Sequence, residues 1–223
     1  MAIAVEDLLQ LIQDAHPALH VVRTDAGVGI RALQAELAGL VSTVLRERPE
    51  ALTYSEATVT ITSAHFSAGW DFNAGVMPLH VQDVEAREVS GLWRPVERVG
   101  WDARYMPRRL PCVTVRRAVL WPLGTEQDYV GFDTWRVRFI GPVAALTLKG
   151  AGATITVLPD HATNALASMA AFRIAKRLAK NASPPIDDLS GLDDTRTSDF
   201  NTFMNTLGVD TQSEVWVKRD VLD

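Results

Sequence analysis

The interval between apolar residues changes twice along this chain, and those two changes limit the folds open to it. In Val5 to Ala15, the residues Val5, Leu8, Leu9, Leu11 and Ile12 recur at helical intervals, and Pro17 stops the run. From about Ile30 to Arg46, Leu33, Leu37, Leu40, Val41 and Val44 make one stripe, which Arg48-Pro49 ends. Gly27 and Gly29 read as a flexible joint between the two helices. At Ala57 the interval falls to two. ATVTIT puts Val59 and Ile61 on one face and threonines on the other, as in a half-buried strand. Further strands are expected at 76–84, 113–121, 134–140 and 154–158, separated by prolines and glycines. The helical interval returns after Leu158-Pro159-Asp160, with an alanine-rich helix over about 160–180.

The remaining segments complete the plan. Residues 181–198 hold Pro184, Pro185 and several aspartates and read as a flexible acidic loop. A short helix over 198–207 carries Phe200, Phe203, Met204 and Leu207 on one stripe, and the chain from 213 onward alternates around Val215, Val217 and Val221. The expected fold is α+β: a helical bundle with an inserted small antiparallel β-domain and an extended C-terminal tail. Its parts are residues 1–52 (N-terminal helices of the bundle), 53–157 (β-domain), 158–212 (long helix, acidic loop and short helix completing the bundle) and 213–223 (tail). Strands do not alternate with long helices, which disfavours a doubly wound parallel sheet.

Composition narrows the function classes. The formal net charge of −5 disfavours a dedicated nucleic-acid wrapper, which is usually basic. The single cysteine, Cys112, excludes an internal disulfide and a multi-cysteine zinc site and fits assembly in a reducing cytoplasm. The start MAIAVEDLLQLIQD lacks the basic and apolar regions of a signal peptide, and no uninterrupted apolar run approaches membrane-spanning length. The chain reads as soluble, made in the cytoplasm and without a membrane partner.

No catalytic or metal constellation stands out, and no cofactor is expected. His16 and His20 are four apart, but Pro17 intervenes and no H-E-x-x-H pattern exists. Gly27-Val28-Gly29 lacks the third glycine of a dinucleotide loop, because position 32 is Ala32. Cys112 has arginines nearby in sequence, but no base that spacing can assign to it.

Two basic clusters are the candidate interaction residues. Arg173, Lys176, Arg177 and Lys180 fall on one face at the C-terminal end of the long helix, where they either complement the helix dipole or meet DNA or an acidic partner. Arg94, Arg98, Arg104, Arg108, Arg109, Arg116 and Arg117 interleave with Trp93, Trp101 and Tyr105, a mixture that suits protein interfaces and also base stacking. Trp216 in the tail is a candidate anchor for a neighbour's pocket or for packing within the chain.

Eight segments follow one another in a telling order: VLRERPEAL (44–52), ATVTITSAHFSAG (57–69), MPLHVQDVEAREV (77–89), WRPVERVGWDAR (93–104), LPCVTVRRAVLWPLG (110–124), WRVRFIGPVAALT (135–147), LPDHATNALASMAAFRIAKRLA (158–179) and DFNTFMNTLGVDTQSE (199–214). This series resembles the head–tail connector, or portal adaptor, family of tailed bacteriophages. The resemblance spans nearly the whole chain, and its most specific mark is the leucine-proline-aspartate helix start. It implies a non-enzymatic structural protein at the head–tail junction of the virion, present as a ring, twelve copies in the family, between the portal protein and a tail or nozzle protein, with DNA passing through the lumen. It further implies that the C-terminal tail reaches the portal through Val215, Trp216, Val217 and Val221. Arg173, Lys176, Arg177, Lys180, Arg104, Arg108, Arg109, Arg116 and Arg117 would then face the lumen or a partner. Three rival readings remain. One is another neck or tail protein (tail completion, stopper or baseplate), one an enzyme using His65 or His161, and one a DNA-binding module built on the basic clusters.

Overall fold

The computed structural model describes residues 2–100, 112–181 and 189–209. The fold is α+β, and the chain divides into two units. One runs up to Thr53 and resumes at Val143; the other is Tyr54–Pro142. The sequence reading carried the β-block to 157. Residues 143–157 instead go with the helices, because Thr154–Ile155 (β10) pairs antiparallel with Ile3–Ala4 (β1), and Thr53 donates its backbone N–H to Val157.

The helical unit is organised by Thr163–Asn181 (α5), which packs against Val5–Ala15 (α1), Ala26–Glu47 (α3) and Ser190–Thr206 (α6). Leu166 and Ile174 of α5 are buried, as are Ala165, Ala167, Ala170, Ala171 and Ala175. Alanine favours the helix and leaves no side chain to hold neighbours away, so partner axes can approach closely. The facing stripes are those the sequence marked: Val5, Leu8, Leu9 and Ile12 on α1, and Leu33, Leu37, Leu40, Val41 and Val44 on α3. At 22 residues α3 is long and apolar enough to cross a bilayer, but this stripe is buried in the unit, as in a core helix of a folded domain.

Two expectations about this unit fail. Gly27 and Gly29 are not a joint: after the short helix Val21–Thr24 (α2), α3 begins at Ala26 with Asp25 as its N-cap, accepting from the Gly27 N–H at 2.9 Å. Gly29 sits where a Cβ would collide with Leu9 and come within 2.9 Å of Val22, so the missing side chain serves helix packing. The acidic loop is also shorter than expected. Helix α6 starts at Ser190, where the sequence suggested 198, and takes in Asp193, Asp194, Thr195 and Arg196. Leu192, Phe203 and Met204 bury one side of it, and Arg196 pairs with Asp193 one turn away. Residues 182–188 and the tail lie outside the described residues.

Helix α6 ends in a Schellman motif. Val209 N–H bonds the Met204 carbonyl at 3.1 Å and Gly208 N–H bonds Asn205 at 2.9 Å, with Gly208 at φ +71°. Arg48 donates to the Gly208 carbonyl at 3.1 Å and so ties this end to the start of the unit.

The second unit holds two four-stranded sheets. One has the order Ser55–Thr60 (β2), Phe132–Ile140 (β9), His80–Glu88 (β4), Trp93–Pro95 (β5). The other has Trp70–Asp71 (β3), Val119–Leu123 (β8), Cys112–Arg116 (β7), Glu97–Val99 (β6). Pairing is antiparallel except for β6 with β7, which is parallel and departs from the expected all-antiparallel arrangement. The strand expected at 113–121 is the β7–β8 hairpin: Arg116 faces Val119, and Arg117 turns the chain at φ +57°. A further helix, Ser63–Ala68 (α4), follows β2 and begins with a capping box between Thr62 and His65. The core joins Phe72, Val84, Val113, Leu120, Tyr129, Trp135, Val137 and Phe139, with Ala57, Val59, Ile61 and Phe66 packed against it.

Candidate functional site

The described residues of the two basic clusters end up in different surroundings. On α5, Arg173 pairs with Glu36 of α3, so one member of the stripe is spent on holding two helices together. Lys176 lies 5.9 Å from the centre of the Phe172 ring, whose other cationic neighbour, Arg196 of α6, is at 4.8 Å. Arg177 faces a small apolar groove of about 150 Å³ formed by Val21, Val28, Ile174 and Leu178, with Arg31 on its rim. Lys180 stands in the last turn of α5. The stripe therefore divides: Arg173 stitches α5 to α3, and Arg177 with Arg31 borders an apolar recess.

The arginine–tryptophan cluster is also divided. Arg94 pairs with Glu88 at 2.8 Å, and Arg98 donates to the Val81 carbonyl. Trp93 is covered by the guanidinium of Arg136, 4.1 Å from the ring centre. Arg116 closes β7 and Arg117 forms the hairpin turn. Arg104, Arg108 and Arg109, with Trp101 and Tyr105, lie outside the described residues, as do Val215, Trp216, Val217 and Val221 of the tail.

Arg98 and Arg117 meet at an open cleft of about 530 Å³ that sequence reasoning did not single out. Met77, Pro78 and Leu79 form one wall, and His80, Val81, Val99, Gly100 and Val115 complete the lining. Val76, Met77 and Leu79 are exposed aliphatic residues, with Met77 69% accessible. Burial holds the His80 imidazole below its ordinary pKa, and the Arg98 charge adds to the shift. The cleft is therefore cationic through its arginines and apolar along one wall, with the imidazole largely neutral at pH 7.

Sequence reasoning also missed a second surface, although a pattern in the sequence could have marked it. On the solvent face of the β2–β9–β4 sheet, Glu56, Asp83 and Glu85 alternate with Arg136 and Arg138. Register places Glu85 opposite Arg136, and Arg138 between Asp83 and Glu56. Arg136 Nε donates to Glu85 at 2.7 Å, and Arg138 reaches Asp83 at 3.4 Å and Glu56 at 3.5 Å. Farther along, Arg87 grips Asp133 with two bonds of 2.9 and 3.0 Å, which holds the Asp133 carboxyl below the usual carboxylate range. Carboxylates at period two in one strand facing arginines at period two in another were the available signal.

The titratable candidates have structural partners. His16 Nδ1 accepts from the Ala18 N–H at 3.1 Å and caps the turn after α1. His65 joins the capping box of α4 and lies against Trp135, and burial lowers its pKa. His161 packs against Phe203. Cys112 is buried, and its carbonyl accepts from the Tyr129 hydroxyl, whose pKa burial pushes far up. Among the described residues no group of three His, Cys, Asp or Glu side chains could hold a metal ion. What these surfaces offer is recognition: a cationic, partly apolar cleft and a charged sheet face in one unit, and an arginine-rimmed groove in the other. No family model matches the chain, and no curated protein matches it.

Proposed function

We propose that this protein is a structural subunit of the neck of a tailed bacteriophage, an adaptor that assembles as a ring between the portal protein and the tail and surrounds the DNA exit channel. The observation that carries the reading is the series of eight segments, in family order, over nearly the whole chain. Their placement is coherent with it. VLRERPEAL closes α3, LPDHATNALASMAAFRIAKRLA opens and builds the central helix α5, and DFNTFMNTLG completes α6 up to its Schellman end. These three therefore belong to one helical unit, with the β-unit inserted between them. In the leucine-proline-aspartate start, Leu158 is buried and Pro159 leads into the turn 160–162 before α5, so the motif has a structural reason to exist.

In this reading the helical unit supplies contacts between copies, and the basic groups at the cleft and the groove, Arg117 and Arg177 among them, face DNA or a neighbour. The chain does no covalent chemistry, and it acts at the head–tail junction after synthesis in the host cytoplasm. The test is the light-scattering mass of the purified protein, alone and after mixing with the portal protein of the same genome. A stoichiometric ring on the portal is the expected result. Absence of any portal association across a range of salt concentrations would overturn the reading and direct the search to tail components.

A further inference from the structure

One apolar residue of α1 has no place in the helical core. Val5, Leu8, Leu9 and Ile12 are buried, whereas Leu11 is 41% accessible. Successive helical residues are about 100° apart, so Leu11 turns away from the side that Ile12 buries. Its neighbours there are Asp7, one turn before, and Asp14, one turn after, and both are exposed. Asp14 accepts from the neutral side chain of Gln10 at 3.0 Å. The outer face of α1 is therefore an aliphatic knob between two carboxylates, which stand about 10 Å apart along the helix axis.

The groove beside Arg177 has the converse character. Val21 of α2, Val28 of α3, and Ile174 and Leu178 of α5 form its apolar lining, and Val21, Val28 and Leu178 are only half-buried. Arg31 and Arg177 stand at its rim, both exposed, and neither has an ion pair among the described residues. At about 150 Å³ the groove admits one aliphatic side chain, whereas pockets for drug-sized ligands begin near 300 Å³. Two guanidinium groups around such a recess call for an apolar side chain flanked by acids. Among the described residues the helical unit exposes two large aliphatic side chains, Leu11 and Leu148. Leu148 stands beside Lys149, which has the wrong charge for this rim. Leu11, between Asp7 and Asp14, has the right one.

We propose that the occupant is a second copy of this chain: Leu11 of one copy fills the groove of its neighbour, and Asp7 and Asp14 meet the neighbour's Arg31 and Arg177. The leucine supplies the apolar burial. The charges fix the register and exclude wrong partners more than they add affinity, because exposed ion pairs are weak and screened by salt. Knob and groove share no residue, so every copy offers one of each and the contact is heterologous. Repetition of such a contact closes into a ring or runs on as an open helix, according to the rotation between copies. The inference deepens the neck reading, on which its place in a ring rests, while the contact itself is tested without the portal.

The experiment is sedimentation velocity on the full-length protein over a range of concentrations at low and high salt. A small contact predicts weak self-association at low salt, with a Kd of roughly 0.1–1 mM, that fades as salt rises. Charge reversal on either side, D7K/D14K or R31E/R177E, should weaken it at least about ten-fold, and L11A about ten-fold with the charges kept. All five side chains are exposed, so the fold is expected to survive, and circular dichroism checks this. An equimolar mixture of the two charge-reversed proteins should regain the association, since lysines then meet glutamates and aspartates meet arginines. A protein that stays monomeric throughout would overturn the proposal. So would loss in only one of the charge reversals, or a mixture that regains nothing. Portal binding by a protein without this self-association would sink the contact and leave the neck reading standing; self-association through it without portal binding would do the reverse.

Discussion

The two units solve the same problem with different materials. In the helical unit, small residues on the central helix bring leucine and valine stripes together. Five buried alanines on α5, and Gly29 where α3 meets Leu9 and Val22, let backbones approach. The β-unit is held by large aromatic residues between its sheets, where Phe66 and Tyr129 pack around Trp135 with ring centres 5.2 to 6.0 Å apart. A ladder of acid–arginine pairs covers one of its faces. The alanine contacts of α5 should therefore be intolerant of added volume, and the aromatic centre of the β-unit of lost volume.

The largest test of that contrast is Trp135→Ala. The side chain is fully buried, and its removal is expected to cost about 3–5 kcal/mol. Urea unfolding followed by amide exchange should show the loss in β2, β4 and β9, with α1, α3 and α5 much less affected. Equal loss in both would break the comparison. Next in size is the reverse experiment, Ala171→Leu, which forces extra carbons into a fully buried position on α5 and should cost about 1–3 kcal/mol. A neutral result would mean that the helices are loosely packed.

The smallest expected effect is acid lability confined to the β-unit. His65 and His80 have folded pKa values below the ordinary 6.5, so the unfolded chain binds more protons than the folded one as pH falls below that value. Stability is then lost with falling pH, and H65Q/H80Q should flatten the dependence in the range just below pH 6.5, because neutral glutamine has no proton to take up. Below that range Asp133, held low by its bond to Arg87, adds loss of the same sign as it becomes protonated. Thermal melts across pH, with and without the substitutions, check this.

How far these features could be read in advance also divides along the two units. The stripes on α1 and α3 stand at their observed positions, because a helix is specified by residues three and four apart. The LPD helix start and the LG end of α6 are equally local, resting on capping and on the left-handed glycine Gly208. Errors came where distant neighbours decide. Gly27 and Gly29 resemble a joint until Leu9 and Val22 are placed against Gly29. The polar stretch 190–197 resembles a loop until Leu192 finds the interior. The run 113–121 resembles one strand because the turn at Arg117 carries neither glycine nor proline.

The candidate surfaces follow the same rule. The basic stripe on α5 was visible, but its division, with Arg173 spent on Glu36 and Arg177 left beside an apolar groove, depends on where α3 lies. The cleft lined by Leu79, Arg98 and Arg117 gathers residues from separate strands, and no local pattern marks it. By itself, the sequence determined the α+β class, the helical and two-residue periods, and the acidic balance, since these depend on the nature and spacing of near neighbours. Only the tertiary structure decided the strand order and the parallel β6–β7 pair, because backbone pairing between distant segments costs loop entropy that packing of the whole unit must offset.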